Sequence, residues 1–125
     1  MKRYFLAHSP RQVLVSNGQQ TLRVALPWSI AANLARPNCP VISVSGDAGF
    51  MFSSTELETD VRLGARFVHL LWDSGSYDMV EFREVAHYGR AAGVKLGHVD
   101  IAKFTEGFGA AGVNITDASK IGPAL

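Results

Sequence analysis

The chain predicts an α/β fold: a parallel sheet with helices on both faces. Short apolar runs alternate along it with longer helix-like segments, the order expected of strands that pair side by side through crossover helices. Three of the runs end on polar loops, Ser16-Asn-Gly-Gln-Gln20, Gly46-Asp-Ala-Gly49 and Asp73-Ser-Gly-Ser76. Right-handed crossovers place such loops on one edge of the sheet, where ligands bind.

The first expected strand is Gln12-Val-Leu-Val15, closed by the turn Ser16-Asn-Gly18. A helix follows over Leu26 to Ala35, with Pro27 in its first turn, where a missing amide costs little. Leu26, Ile30 and Leu34 recur every fourth residue and predict one buried stripe. Pro37 and Pro40 bracket a loop before the second strand, Val41 to Val44. Ser53-Ser-Thr-Glu56 matches a capping box and predicts a helix through Leu63, stopped by Gly64. Within it Glu58 and Arg62 stand four apart in the favourable order, which fits an exposed face.

Arg66-Phe-Val-His-Leu-Leu-Trp72 is the third expected strand, and Met79 to Tyr88 the next helix. Asp100 is placed to cap a helix ending near Gly107 or Gly109. Gly112-Val-Asn-Ile115 reads as a fourth strand, and Thr116-Asp117 as the start of a last helix. The sequence stops within or just after that helix, which reads as a truncated single domain over residues 1–125.

Composition narrows the classes of function. The chain has 125 residues, 47% apolar and 18% charged, which fits an ordinary globular protein. A net charge of +1 offers no basic field for nucleic acid. The single cysteine, Cys39, rules out an internal disulfide framework and fits the cytoplasm. Nothing approaches the apolar length of a membrane span or a signal-peptide core, so no membrane partner is expected. The four histidines show no metal-ligand spacing and are given no role.

The chemistry gathers at Gly46-Asp-Ala-Gly49. An acid at a strand end, with a second polar loop at the next strand end, can hold one divalent cation from two sides. Magnesium takes about six oxygens, often only one or two of them from carboxylates. Gly46, Ala48 and Gly49 leave room for a phosphate beside the backbone. The spacing lacks the G-x-G-x-x-G pattern of a dinucleotide site. A plain turn is the competing reading.

Gly46-Asp-Ala-Gly-Phe50, followed by Trp72-Asp-Ser-Gly-Ser-Tyr-Asp-Met-Val80, resembles the diphosphate-binding domain of thiamine-diphosphate enzymes. Ser16-Asn-Gly-Gln-Gln-Thr-Leu22, Ala25-Leu-Pro-Trp-Ser-Ile30 and Glu56-Leu-Glu-Thr59 make the likeness closer to catabolic acetolactate synthases. It runs from about Arg11 to Ile115. The resemblance implies magnesium and thiamine diphosphate as cofactors, and the joining of two pyruvates into 2-acetolactate with loss of carbon dioxide.

Residue by residue, the resemblance makes Asp47 the first magnesium ligand and sets the amides of Ala48 and Gly49, beside Gly46, against the diphosphate. The second side-chain ligand falls on Ser74, with Asp73 as a substitute if the loop shifts by one residue, and a carbonyl ligand falls on Ser76. The Gln20 carbonyl faces the aminopyrimidine, Leu22 bends the cofactor, and Met79 packs beside the thiazolium. No residue of this chain is expected to be catalytic. The activating glutamate belongs to a pyrimidine-binding domain of the full enzyme or of a partner subunit, so the chain alone is expected to be inactive. The face that other domains cover in the resembled enzymes, with Leu22, Trp28 and Met79 as candidates, is expected to lie exposed here and to drive self-association into a homo-oligomer.

Two positions depart from the family pattern. Ser74 is neutral where the family has Asp or Asn, and Arg23 stands where it has Gly. Arg23 and the absence of the activating domain keep open a non-catalytic module that binds a phosphate ligand or another protein, and Ser74 keeps open a structural remnant that binds nothing.

Overall fold

The computed structural model of the chain describes residues 5–16, 18 and 21–125. Its centre is a two-stranded parallel sheet, β1 (Ile42–Gly46) beside β2 (Val68–Trp72). Ile42 lies opposite Val68 and Gly46 opposite Trp72. Both strands therefore end level, and their following loops emerge side by side. Around the sheet run helices α1 (Ala25–Ala35), α2 (Asp47–Met51), α3 (Glu56–Leu63), α4 (Asp78–Tyr88), α5 (Ile101–Glu106) and α6 (Ile121–Ala124). The α/β class and the parallel pairing are those the sequence predicts.

Alternation along the strands decides where the core sits. Leu71 packs against the central cluster of Leu26, Phe50 and Leu57, joined by Phe67, Ile101, Phe104, Phe108 and Ala110. Phe104 meets Phe50 edge-on at 6.2 Å, a favoured aromatic geometry. His69 lies on the same side of β2 as Leu71, with its ring 5.7 Å from that of Phe50. Ile42, Val44 and Trp72 point the other way and are exposed.

Helix α1 starts with Pro27 in its first turn, as expected, but its buried stripe is Leu26, Ser29, Ile30 and Asn33. Leu34, predicted to complete that stripe, is exposed. The reason is a pair of hydrogen bonds at the helix end. Asn33 Nδ2 donates to the Arg66 carbonyl at 2.8 Å, and the Arg66 amide donates to Asn33 Oδ1 at 3.0 Å. That amide clasp turns Asn33 inward and Leu34 outward.

Two expected strands are absent. Residues 12–15 and 112–115 run without a ladder, because an apolar run becomes a strand only where a neighbour accepts its backbone bonds. The Gln12 side chain instead closes a local turn, its Oε1 accepting the amides of His8 and Ser9. Gly112 lies against α5, where a Cβ would stand 2.7 Å from the Ala102 Cα.

The capping box also fails in detail. The N-cap of α3 is Thr55, with no side-chain bond. A continuous run of turns carries the chain out of α2: Ser53 N donates to Phe50 O, Glu56 N to Ser53 O, and Leu57 N to Ser54 O. These backbone bonds satisfy the first amides and leave Ser53 nothing to cap. The other end marks hold. Gly64 terminates α3, Glu58 and Arg62 pair at 2.9 Å, and Asp100 Oδ1 accepts the Lys103 amide at the start of α5. Asp117 caps the last turn through the Ser119 amide.

Asp60 on α3 has a buried Oδ1 with no hydrogen-bond partner among the described residues, and burial raises its pKa. An unsatisfied buried oxygen opposes folding. The variant Asp60→Ala should gain about 1 kcal/mol in urea unfolding at pH 7. A loss of stability would show that the carboxylate has a favourable role.

Candidate functional site

The site is built where β1 and β2 end. Asp47 follows Gly46 directly and begins α2, and it is only 5% exposed. Its carboxylate is held by backbone amides. Oδ2 accepts from Ser74 at 3.1 Å and from Gly75 at 2.7 Å, and Oδ1 accepts from Ala48 at 2.7 Å. The loop after β2 is thus folded onto the acid at the end of β1. Gly75 turns through φ +68, a left-handed conformation in which glycine carries no steric cost.

Each carboxylate oxygen can accept about two hydrogen bonds or one bond and a metal. Among the described residues Oδ2 has both positions filled, whereas Oδ1 keeps one open. Ser74 Oγ reaches toward the Ser76 carbonyl at 3.4 Å, a long contact that a cation could replace. The buried Ser76 hydroxyl donates to Asp78 Oδ1, which holds the Asp78 carboxyl below its usual range. Asp47, Asp73 and Gly75 line a common cavity of about 420 Å³ with Met51 and the segment Leu96 to Val99. Among the described residues no three His, Cys, Asp or Glu side chains gather as a metal cluster. The donors present are two carboxylates, a hydroxyl and a carbonyl, all oxygen. That chemistry suits magnesium, with water and phosphate completing the shell.

A second contact draws the segment before α1 to the site. Gly49 packs so closely on the three-residue 3-10 turn Leu22–Val24 that a Cβ there would stand 3.0 Å from the Leu22 carbonyl oxygen. Gly49 is therefore needed for packing. Of the predicted site residues, Asp47 and Asp73 line the cavity together with Gly75. Ser74 joins Asp47 through its amide and Ser76 joins Ser74 through its carbonyl, but neither serine is among the described lining residues, nor are Gly46, Ala48 and Gly49. Leu22 and Met79 do not line the cavity, and their side chains are largely exposed. Gln20 lies outside the described residues.

Sequence reasoning missed two features. The segment Leu96–Val99 forms a wall of the cavity, and only the cap at Asp100 hinted where it ends. His69 is bridged by two serines of the neighbouring strand: Ser43 Oγ lies 2.6 Å from Nδ1, and Ser45 Oγ 2.8 Å from Nε2. Burial lowers its pKa to about 4. The neutral ring has one N–H and one lone pair, so one serine donates and the other accepts. Alternation of His69 within its strand was visible, but not the serines opposite it.

Among the described residues no helix is long and apolar enough to cross a membrane. The family described as "Thiamine pyrophosphate enzyme, C-terminal TPP binding domain" matches residues 1–125. Over 125 residues the chain is 47% identical to the acetolactate synthase of Bacillus subtilis (strain 168), covering 100% of this chain and 22% of that protein. It is 48% identical over 123 residues to the catabolic acetolactate synthase of Raoultella terrigena, covering 98% of this chain and 22% of the relative. The chain therefore spans about a fifth of the length of these curated relatives. Among solved structures it resembles a thiamine diphosphate-dependent 4-hydroxybenzoylformate decarboxylase of Rhodococcus jostii RHA1, with a TM-score of 0.73 and 25% identity. That match covers 80% of this chain and 19% of the other. With its strand-end acid, its oxygen donors and a family match over its whole length, the chain belongs to the C-terminal thiamine pyrophosphate-binding domains of the thiamine pyrophosphate enzymes.

Proposed function

We propose that this chain holds magnesium and thiamine diphosphate for an enzyme that converts two pyruvates into 2-acetolactate and carbon dioxide. The observation that carries the reading is the hold of the Ser74 and Gly75 amides on the Asp47 carboxylate, beside a cavity that Asp47, Asp73 and Gly75 line. The names of the Bacillus and Raoultella relatives support the choice of reaction.

In this reading Asp47 Oδ1, Ser74 Oγ and the Ser76 carbonyl oxygen hold the cation, with Asp73 facing the same space. Gly46, Ala48 and Gly49 bring the backbone to the diphosphate. Gln20, Leu22 and Met79 serve the organic end of the cofactor, each on the role its position has in the family. Bound thiamine diphosphate supplies the electron sink for loss of carbon dioxide from pyruvate. The chain's own part is to bind and orient. No catalytic residue is assigned within it.

Activation of the cofactor then falls to a pyrimidine-binding domain of the full enzyme or of a partner subunit. The exposed Trp72, Met79 and Phe82 support such a contact, within a homo-oligomer, because large apolar groups in solvent favour burial against a partner. The exposed single cysteine, Cys39, accords with a cytoplasmic setting. A non-catalytic binding module is the second reading, favoured by neutral Ser74 and by the exposed Arg23 beside Leu22.

Purified chain supplied with pyruvate, thiamine diphosphate and magnesium should form no acetolactate; steady, cofactor-dependent product would contradict the assignment of activation to another domain. Ser74→Asp combined with Arg23→Gly should tighten magnesium-dependent binding of thiamine diphosphate by about tenfold, or about 1.4 kcal/mol. Calorimetric titration reads it. An unchanged affinity would count against Ser74 as a ligand and favour the second reading.

A further inference from the structure

The cavity beside Asp47 has a wall to which neither the family resemblance nor the reading above gives a role. The strap from Val94 to Asp100 passes across from the strand-end loops and is pinned at both ends. At its start Val94 is buried, the Tyr77 amide donates to the Val94 carbonyl at 2.9 Å, and the Leu96 amide donates to the Gly75 carbonyl at 2.9 Å. Ser76 and Lys95 form an antiparallel bridge, and Lys95 Nζ pairs with Glu81 at 2.7 Å. At its end the Asp100 carboxylate caps α5. Gly75 therefore does two things: its amide holds Asp47 and its carbonyl holds the strap. The strap is tied to the same loop that converges on the acid.

His98 stands on this strap, exposed to solvent and lining the cavity. The remaining side chains of the wall divide into carboxylates, Asp47 and Asp73, and apolar groups such as Met51 and Leu96. Among the described lining residues His98 alone has a side chain that can donate a hydrogen bond. A phosphate-bearing ligand anchored by a cation at Asp47 presents further anionic oxygens, and those oxygens need donors rather than more carboxylates. A role for His98 as a metal ligand is not carried, because it forms no cluster with Asp47 and Asp73 among the described residues. We infer that His98 is a phosphate-binding residue, its imidazole donating to a diphosphate oxygen directed away from the cation. The inference rests on the cofactor reading above and adds to it a residue on the strap tied to the loop after β2.

The test is calorimetric titration, with magnesium saturating, of thiamine diphosphate and of phosphate-free thiamine into wild type, His98→Ala and His98→Gln. His98 is exposed, so neither substitution removes core packing, and circular dichroism checks the fold. Thiamine diphosphate should bind His98→Ala about tenfold more weakly than wild type, the scale of one hydrogen bond to a charged group. His98→Gln, which keeps an N–H donor, should recover most of the loss, and thiamine should not distinguish the three proteins. If wild type binds thiamine diphosphate and His98→Ala binds it equally well, or loses thiamine to the same extent, the role of His98 is overturned while the cofactor reading stands. If wild type binds no thiamine diphosphate, the cofactor reading falls and this inference falls with it.

Discussion

On acidification from pH 6.5 to about 4 the chain should lose about 3 kcal/mol of stability through His69 alone, whose pKa burial lowers from 6.5 to about 4. The sign follows from where the proton binds. Between those two values the unfolded histidine takes up a proton and the native one does not, so falling pH favours the unfolded chain. The contribution is fully present above pH 6.5 and gone once the pH has dropped through the native value. Carboxylates held low by hydrogen bonds, such as Asp78 and Asp117, add an acid-labile component of their own. His69→Gln separates the two. It offers an N–H and a carbonyl to Ser43 and Ser45 but cannot titrate in this range. Urea unfolding followed across pH 4 to 7 should give a steep dependence for wild type and a clearly flatter one for the variant. Parallel profiles would mean that the ring is not held neutral between the serines.

The second large effect belongs to Asp47. Its carboxylate accepts three backbone amides, from Ala48, Ser74 and Gly75, at the point where two strand-end loops meet. Asp47→Ala strands those donors and should cost about 3 kcal/mol, since each abandoned partner of a charged group costs on the order of 1 kcal/mol or more. Loosening of the Asp73–Ser76 loop should accompany that loss, visible as faster amide exchange at Ser74 and Gly75. Asp47→Asn is the milder change. Its oxygen can still accept the Ser74 and Gly75 amides, while its NH2 takes the place of Oδ1, removes the open position and leaves only the Ala48 amide without its acceptor. Full retention of stability by Asp47→Ala would show that water serves these amides as well as the carboxylate does.

What was legible in the sequence follows physical lines. Asp47 and the Asp73–Ser76 loop could be found because each follows directly on an apolar strand, and a parallel sheet puts both ends on one edge. Gly64, Asp100 and Asp117 were legible because end signals act within a few residues of themselves. Features that depend on distant partners were not. Leu34 lost its place in the stripe of α1 to Asn33 because Arg66, more than thirty residues away, offers its backbone. The runs at 12–15 and 112–115 have strand composition but no pairing neighbour among the described residues, and composition does not report neighbours. His69 and His98 look like isolated histidines in the sequence. One gains meaning from β1 pairing with β2, the other from the path of a strap tied to Gly75.

The central claim is that Asp47 organises a magnesium-dependent site for thiamine diphosphate. The measurement that tests it most directly is calorimetric titration of thiamine diphosphate, with and without magnesium, into wild type and Asp47→Asn. Wild type should bind only when magnesium is present, and Asp47→Asn should lose that dependence together with at least tenfold in affinity, or about 1.4 kcal/mol. Equal binding by the two proteins, or binding by wild type that ignores magnesium, would contradict the claim and leave Gly46-Asp-Ala-Gly49 as a turn between a strand and a helix.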